Sequence, residues 1–143
     1  MTTRYSFEEG SIALPVGYTD RSINIFVQEP MTDALANLQV TRDTIQEGES
    51  LDDYAARQIR VLKRRIKGLA VTSQETVTLT GGRTQAVEIE TRYQSNGKSV
   101  YQRQCAVLIA NGRVLVFTAT NTVPFTTGQL AAWRQWTESF APA

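Results

Sequence analysis

The stretch from Val71 to Asn121, VTSQETVTLTGGRTQAVEIETRYQSNGKSVYQRQCAVLIANGRVLVFTATN, decides the fold. Its apolar residues recur with a period of two through Val71–Leu79, Arg83–Tyr93, Val100–Ala110 and Val114–Asn121. That is the spacing of strands with two unlike faces. The runs are joined at Gly81-Gly82, Asn96-Gly97 and Asn111-Gly112, pairs that tolerate the positive φ of tight hairpin turns. Four antiparallel strands in a meander follow.

Upstream of this stretch the period is helical. Leu51, Ala55, Gln58 or Ile59, Leu62 and Ile66 recur on one side of a segment ending near Lys67. Ser50 can cap the first turn, Asp52 and Asp53 suit its positive end, and Gly68 can end the helix. Further back, short strands are expected at Arg4–Glu8, Ser11–Leu14, Ser22–Gln28 and Leu35–Arg42, punctuated by Pro15, Gly17 and Pro30. The run Ser22-Ile23-Asn24-Ile25-Phe26-Val27 is rich in β-branched and aromatic residues, so its strand has an apolar side that touches something. Downstream, Thr126-Thr127-Gly128-Gln129 has the spacing of a capping box. Leu130, Trp133, Trp136 or Thr137, and Phe140 then line a closing helix whose aromatic stripe packs on the sheet. The expected architecture is α+β: an antiparallel sheet with an early strand pair, a central helix, the meander, and a C-terminal helix packed on the sheet. Residues 1–143 read as one domain, without repeats or linkers.

With 143 residues, 41% apolar and 20% charged, the chain can bury about two thirds of its unfolded surface without metals or disulfides. A net charge of +1 gives no long-range field for nucleic acid or anionic lipid, so neither is an expected partner. The densest basic run, Arg57 to Lys67, decorates one helix, either as a solvated face or as a docking patch for an acidic surface. The start of the chain has acidic Glu8 and Glu9 where a signal peptide needs apolar residues, and no window approaches the ~18 apolar residues that span a bilayer. Cys105 is the only cysteine, which fits a reducing cytoplasm and reads as a small buried hydrophobe.

The chain has no histidine, so triads and metal sites that depend on imidazole are excluded. The carboxylate pairs Glu8-Glu9, Asp52-Asp53 and Glu88/Glu90 each have a structural explanation, at a strand end, in a helix first turn and on one strand face. Gly81-Gly82 lacks the lysine and the strand-to-helix setting of a phosphate loop. No catalytic residue, cofactor or metal is expected, and an enzyme would need a constellation this sequence does not display.

Three segments together carry a family likeness: Ser22-Ile23-Asn24-Ile25-Phe26, Thr41-Arg42-Asp43, and Tyr54-Ala55-Ala56-Arg57-Gln58. With Arg103-Gln104 and the closing Trp helix, the chain resembles the Eag chaperones of bacterial type VI secretion, members of the DcrB-like domain family. The resemblance implies a cytoplasmic homodimer that holds the N-terminal transmembrane helices of a secreted effector in an apolar groove until the effector is loaded on the secretion spike. No membrane insertion of the chaperone is implied. Such work needs no catalysis. A spanning helix exposing on the order of 1000 Å² to water carries a penalty of roughly 25 kcal/mol at ~25 cal/mol per Å².

Carried onto this sequence, the resemblance makes Ile23 and Ile25 apolar contacts and Gln58 and Gln104 polar ones. Each amide both donates and accepts, so it can pair with client hydroxyls or frayed helix backbone. Gln39 stands in the second groove strand at a place where the family tends to be apolar, and joins them as a further contact. Read without the resemblance, the isoleucines are ordinary core and the glutamines solvated positions. The alternative function is a DcrB-like, non-enzymatic module for another envelope-associated partner.

Overall fold

The structure, a computed structural model, describes residues 3–28, 35 and 37–142. Two strands, β1 (Thr3–Phe7) and β2 (Gly10–Leu14), form a separate hairpin. The main sheet contains β3 (Asn24–Val27), β4 (Asn37–Thr44), β5 (Ala70–Leu79), β6 (Thr84–Ser95), β7 (Lys98–Leu108) and β8 (Arg113–Asn121). Its spatial order is β3-β4-β8-β7-β6-β5, antiparallel throughout. The α+β reading therefore holds, with the meander where the period of two put it. Asn96 and Gly97 turn β6 into β7 with φ of 52° and 76°, the left-handed pair that a two-residue hairpin requires.

Two early strands have other limits than the sequence reading expects. The strand expected at Leu35–Arg42 runs from Asn37 to Thr44, and Leu35 is a buried core residue ahead of it. Ladder pairing with β8 sets those ends, from Leu38 opposite Ala119 to Thr44 opposite Arg113. The strand expected at Ser22–Gln28 shortens to Asn24–Val27, because that is the stretch opposite Val40 to Asn37. Pro30, read as a punctuating residue, lies outside the described residues.

Because β4 pairs with β8 while β5 forms the far edge, the chain must cross four strand spacings, about 19 Å at ~4.8 Å each. Helix α1 (Leu51–Arg65, 15 residues) does so, and at ~1.5 Å per residue it reaches about 22 Å. Its start is fixed by a capping box: Asp53 N–H donates to Ser50 Oγ at 3.1 Å and Ser50 N–H donates to Asp53 Oδ2 at 3.2 Å. Its apolar side packs Tyr54 with Ala106 and Val114, and Ala55 with Val87 and Ile89.

Helix α2 (Thr127–Glu138) covers the opposite face of the sheet. The expected capping box is present, with Gln129 N–H donating to Thr126 Oγ1 at 3.1 Å and Thr126 N–H to Gln129 Oε1 at 3.0 Å. Trp133, Trp136 and Phe140 pack on a core of Leu79, Ala86, Cys105, Val107, Phe117 and Ala119. The rings meet edge to face, Phe117 lying 5.3 Å from Trp136 and 5.6 Å from Phe140. On this face Arg103 Nε donates to Glu88 Oε1 at 2.7 Å, and Arg103 also pairs with Glu90. The two glutamates are thus held by a buried guanidinium rather than aimed at a pocket.

Candidate functional site

Cross-strand register places one row of side chains on the α1 side of the sheet. Ile25 stands opposite Gln39, Gln39 opposite Thr118, Thr118 opposite Gln104, and Gln104 opposite Ile89. Residues directly opposite share a face, so the row runs across five strands. The row nearer the helix start, Thr41, Val116, Ala106 and Val87, lies beside α1. Beyond it the face is not roofed by the helix toward β3, where Ile25 is 59% exposed.

Tyr54, Gln58 and Leu62, spaced four apart, make the wall of this trough. Together with Thr41, Ile89 and Gln104 they line a concave surface between helix and sheet. The wall is anchored at Tyr54, whose hydroxyl donates to Asp43 Oδ2 at 2.9 Å. Burial first, and then that hydrogen bond, raise the tyrosine's pKa, so the phenol stays protonated. The Tyr54→Phe variant leaves the carboxylate without this donor and should cost about 1–2 kcal/mol in urea unfolding. At the helix entrance Arg57 grips Glu49 with two bonds of 2.8 and 2.9 Å, and its guanidinium lies 5.4 Å from the centre of the Tyr54 ring.

The Arg57 hydrogen bonds, with a backbone amide from Gln46, hold the Glu49 carboxyl down at about 2, against an ordinary 4.5. A carboxyl depressed on folding stabilises the protein above its unfolded value. That contribution is lost as pH falls from about 4.5 toward 2. Thermal melts across this window should therefore fall less steeply for Glu49→Gln than for the parent chain.

Of the five candidate residues, Ile25, Gln39 and Gln104 lie in the row itself, and Gln58 faces it from α1. Ile23 sits just ahead of β3 rather than within it, 61% exposed. The isoleucines are therefore not interior, and the three glutamines are half-buried rather than solvated. Among the described residues, none of the amides of Gln39, Gln58 and Gln104 has a hydrogen-bond partner. Thr118, buried at the centre of the row, and Leu62 were missed. Alternation along Val114, Val116, Thr118 and Thr120 marks the shared face, but the pairing that sets Thr118 between two glutamines is not a local signal.

Conventional catalytic features do not gather here. Among the described residues no cluster of His, Cys, Asp or Glu could hold a metal ion. Cys105 is fully buried on the other face, and burial, then the nearby Glu88 charge, push its thiol up to about 12. No helix among the described residues is long and apolar enough to cross a membrane.

The sequence profile of the DcrB family matches residues 9–139. The chain belongs to the DcrB family. This DcrB-family chain is 26% identical over 141 residues to a Pseudomonas aeruginosa protein named Effector EagT6, covering 98% of this chain and 96% of that one. The Eag likeness read from its short segments thus extends over nearly the whole sequence. The DcrB-family fold described above also superposes on the crystal structure of PA94, a P. aeruginosa protein of unknown function. That match has a TM-score of 0.78 at 25% identity, over 99% of this chain and 97% of the other.

Proposed function

We propose that this protein is a cytoplasmic, non-enzymatic chaperone of a type VI secretion effector. In this reading it covers the effector's N-terminal transmembrane helices in the trough and helps load the effector onto the spike. The observation that carries the reading is the trough's composition. Ile25 stands exposed at the open end of the row that holds half-buried Gln39 and Gln104, Gln58 faces that row from α1, and exposed Ile23 lies just ahead of β3. A half-buried amide that still reaches solvent keeps its donors and its acceptor available, which is useful where a guest supplies the partner.

Membrane helices commonly pack through small and hydroxyl-bearing residues, so a surface that imitates a neighbouring membrane helix combines apolar side chains with a few amides. The EagT6 likeness supports the effector as partner. One trough borders a helix on one side only, so a homodimer that sets two troughs around the client completes the cover. The hairpin β1–β2 offers a surface for that contact, with Phe7 45% and Ile12 48% exposed on one side.

The reading is tested by co-expressing the chain with a soluble carrier fused to an apolar segment of about 20 residues bearing Ser and Thr. The fusion should remain in the supernatant and co-purify with the chaperone. Recovery of the fusion in the pellet, or of partners without any apolar segment, would favour the other envelope-associated module.

A further inference from the structure

The net charge of this chain conceals a strong segregation. Between Tyr54 and Gln74 lie Arg57, Arg60, Lys63, Arg64, Arg65 and Lys67 with no acidic residue, in a chain of 15 basic and 14 acidic residues. Arg57 is neutralised by Glu49. The exposed Arg60, Lys63 and Arg64 follow one another at helical spacing and form a single stripe on α1, and exposed Lys67 follows just past the end of the helix. Among the described residues no carboxylate pairs with any of them. Where the stripe ends, Lys67 borders a shallow depression with Arg92, Tyr93 and Tyr101. Tyrosine is the side chain that sits with its ring in apolar surroundings and its hydroxyl among headgroups.

At about 100° per residue the stripe falls on the side of α1 nearly opposite Tyr54, Gln58 and Leu62, so whatever meets it leaves the trough open. Protein partners are usually anchored by apolar or aromatic side chains at the centre of a patch, with lysine depleted. The middle of this stripe has only charges. Closely spaced cations without an anchor suit a surface whose own anions move to meet them. We propose that the outer face of α1, with the Lys67–Arg92–Tyr93 corner, is a peripheral docking site for anionic phospholipid headgroups. It does not insert, and it stands independently of what the trough holds.

The test is sedimentation of the purified chain with vesicles of phosphatidylcholine alone and with equal parts phosphatidylglycerol. Each basic residue brought to an anionic surface tightens partitioning about fivefold, so the Lys63→Gln/Arg64→Gln variant should bind about 25-fold more weakly. The Arg83→Gln variant, altered in the β5–β6 turn, should bind like the parent, and binding should collapse between about 50 and about 500 mM salt. Absence of binding to the anionic vesicles, as expected if the stripe meets an acidic protein surface instead, would overturn the proposal. So would equal loss in the Arg83 variant, or binding to phosphatidylcholine alone. Circular dichroism of both variants, matching the parent, excludes misfolding as the cause.

Discussion

Replacing Ile25 with aspartate should abolish client capture while the melting temperature of the protein stays within a few degrees of the parent. Ile25 is 59% exposed at the edge of the sheet, so a polar substitute there disturbs little of the protein's own core. If the client covers this position in the trough, as proposed, an aspartate must shed its water there without a free cation to meet it. Among the described residues the row around it contains Gln39 and Thr118, and the guanidinium of nearby Arg42 is already engaged, donating to Asn24 Oδ1 at 2.7 Å and to Ser22 O at 3.1 Å. The desolvation of one uncompensated charge costs on the order of 3 kcal/mol or more, which is at least about 100-fold in affinity. Pull-down of an apolar-segment fusion reads the loss, and a circular dichroism melt reads the fold. Gln104→Ala, removing one amide from the floor, should weaken capture by a smaller factor of about 5–10, the worth of one or two neutral hydrogen bonds.

Truncating Trp133 to alanine should have the opposite profile, with a severe loss of stability. The indole is 2% exposed, lies 5.7 Å from the Trp136 ring and belongs to the cluster that joins α2 to the sheet. Removal of a buried Trp side chain costs about 3–5 kcal/mol, a large share of the stability of a domain this size. Its Nε1 is buried without a hydrogen-bond partner among the described residues, an arrangement that itself carries a penalty. Trp133→Phe removes the orphaned donor along with some volume, so its loss should be well below that of the alanine variant. Urea unfolding of the three chains orders them as parent, phenylalanine, alanine. A Trp133→Ala chain as stable as the parent would show that α2 is dispensable to the core.

The features that sequence made legible are the local ones. Asn96-Gly97 and Asn111-Gly112 adopt the positive φ their residue types favour, and Ser50 and Thr126 cap the helices they precede. The period of two divides β7 correctly, turning Arg103 toward α2 and Gln104 toward α1. What the pattern could not reveal is which edges meet. Pairing of Val40 with Phe117 joins strands separated by the helix and three strands of the meander, and alternation carries no information on such a partner. That one contact sets the far limit of β4 and, with the pairing of β3 to β4, puts Ile25, Gln39, Thr118 and Gln104 in one row. The candidate residues could be chosen one by one from the segments that carry the family likeness. Their assembly into a trough required the long-range register.

A photo-reactive amino acid placed at Gln104, and in a separate chain at Arg83, tests the trough most directly when each is co-expressed with the apolar-segment fusion and the cross-links are mapped by mass spectrometry. The account predicts adducts from position 104 within the apolar segment and none from position 83. Adducts from 104 that fall only in the soluble carrier, or an equal yield from 83, would contradict it.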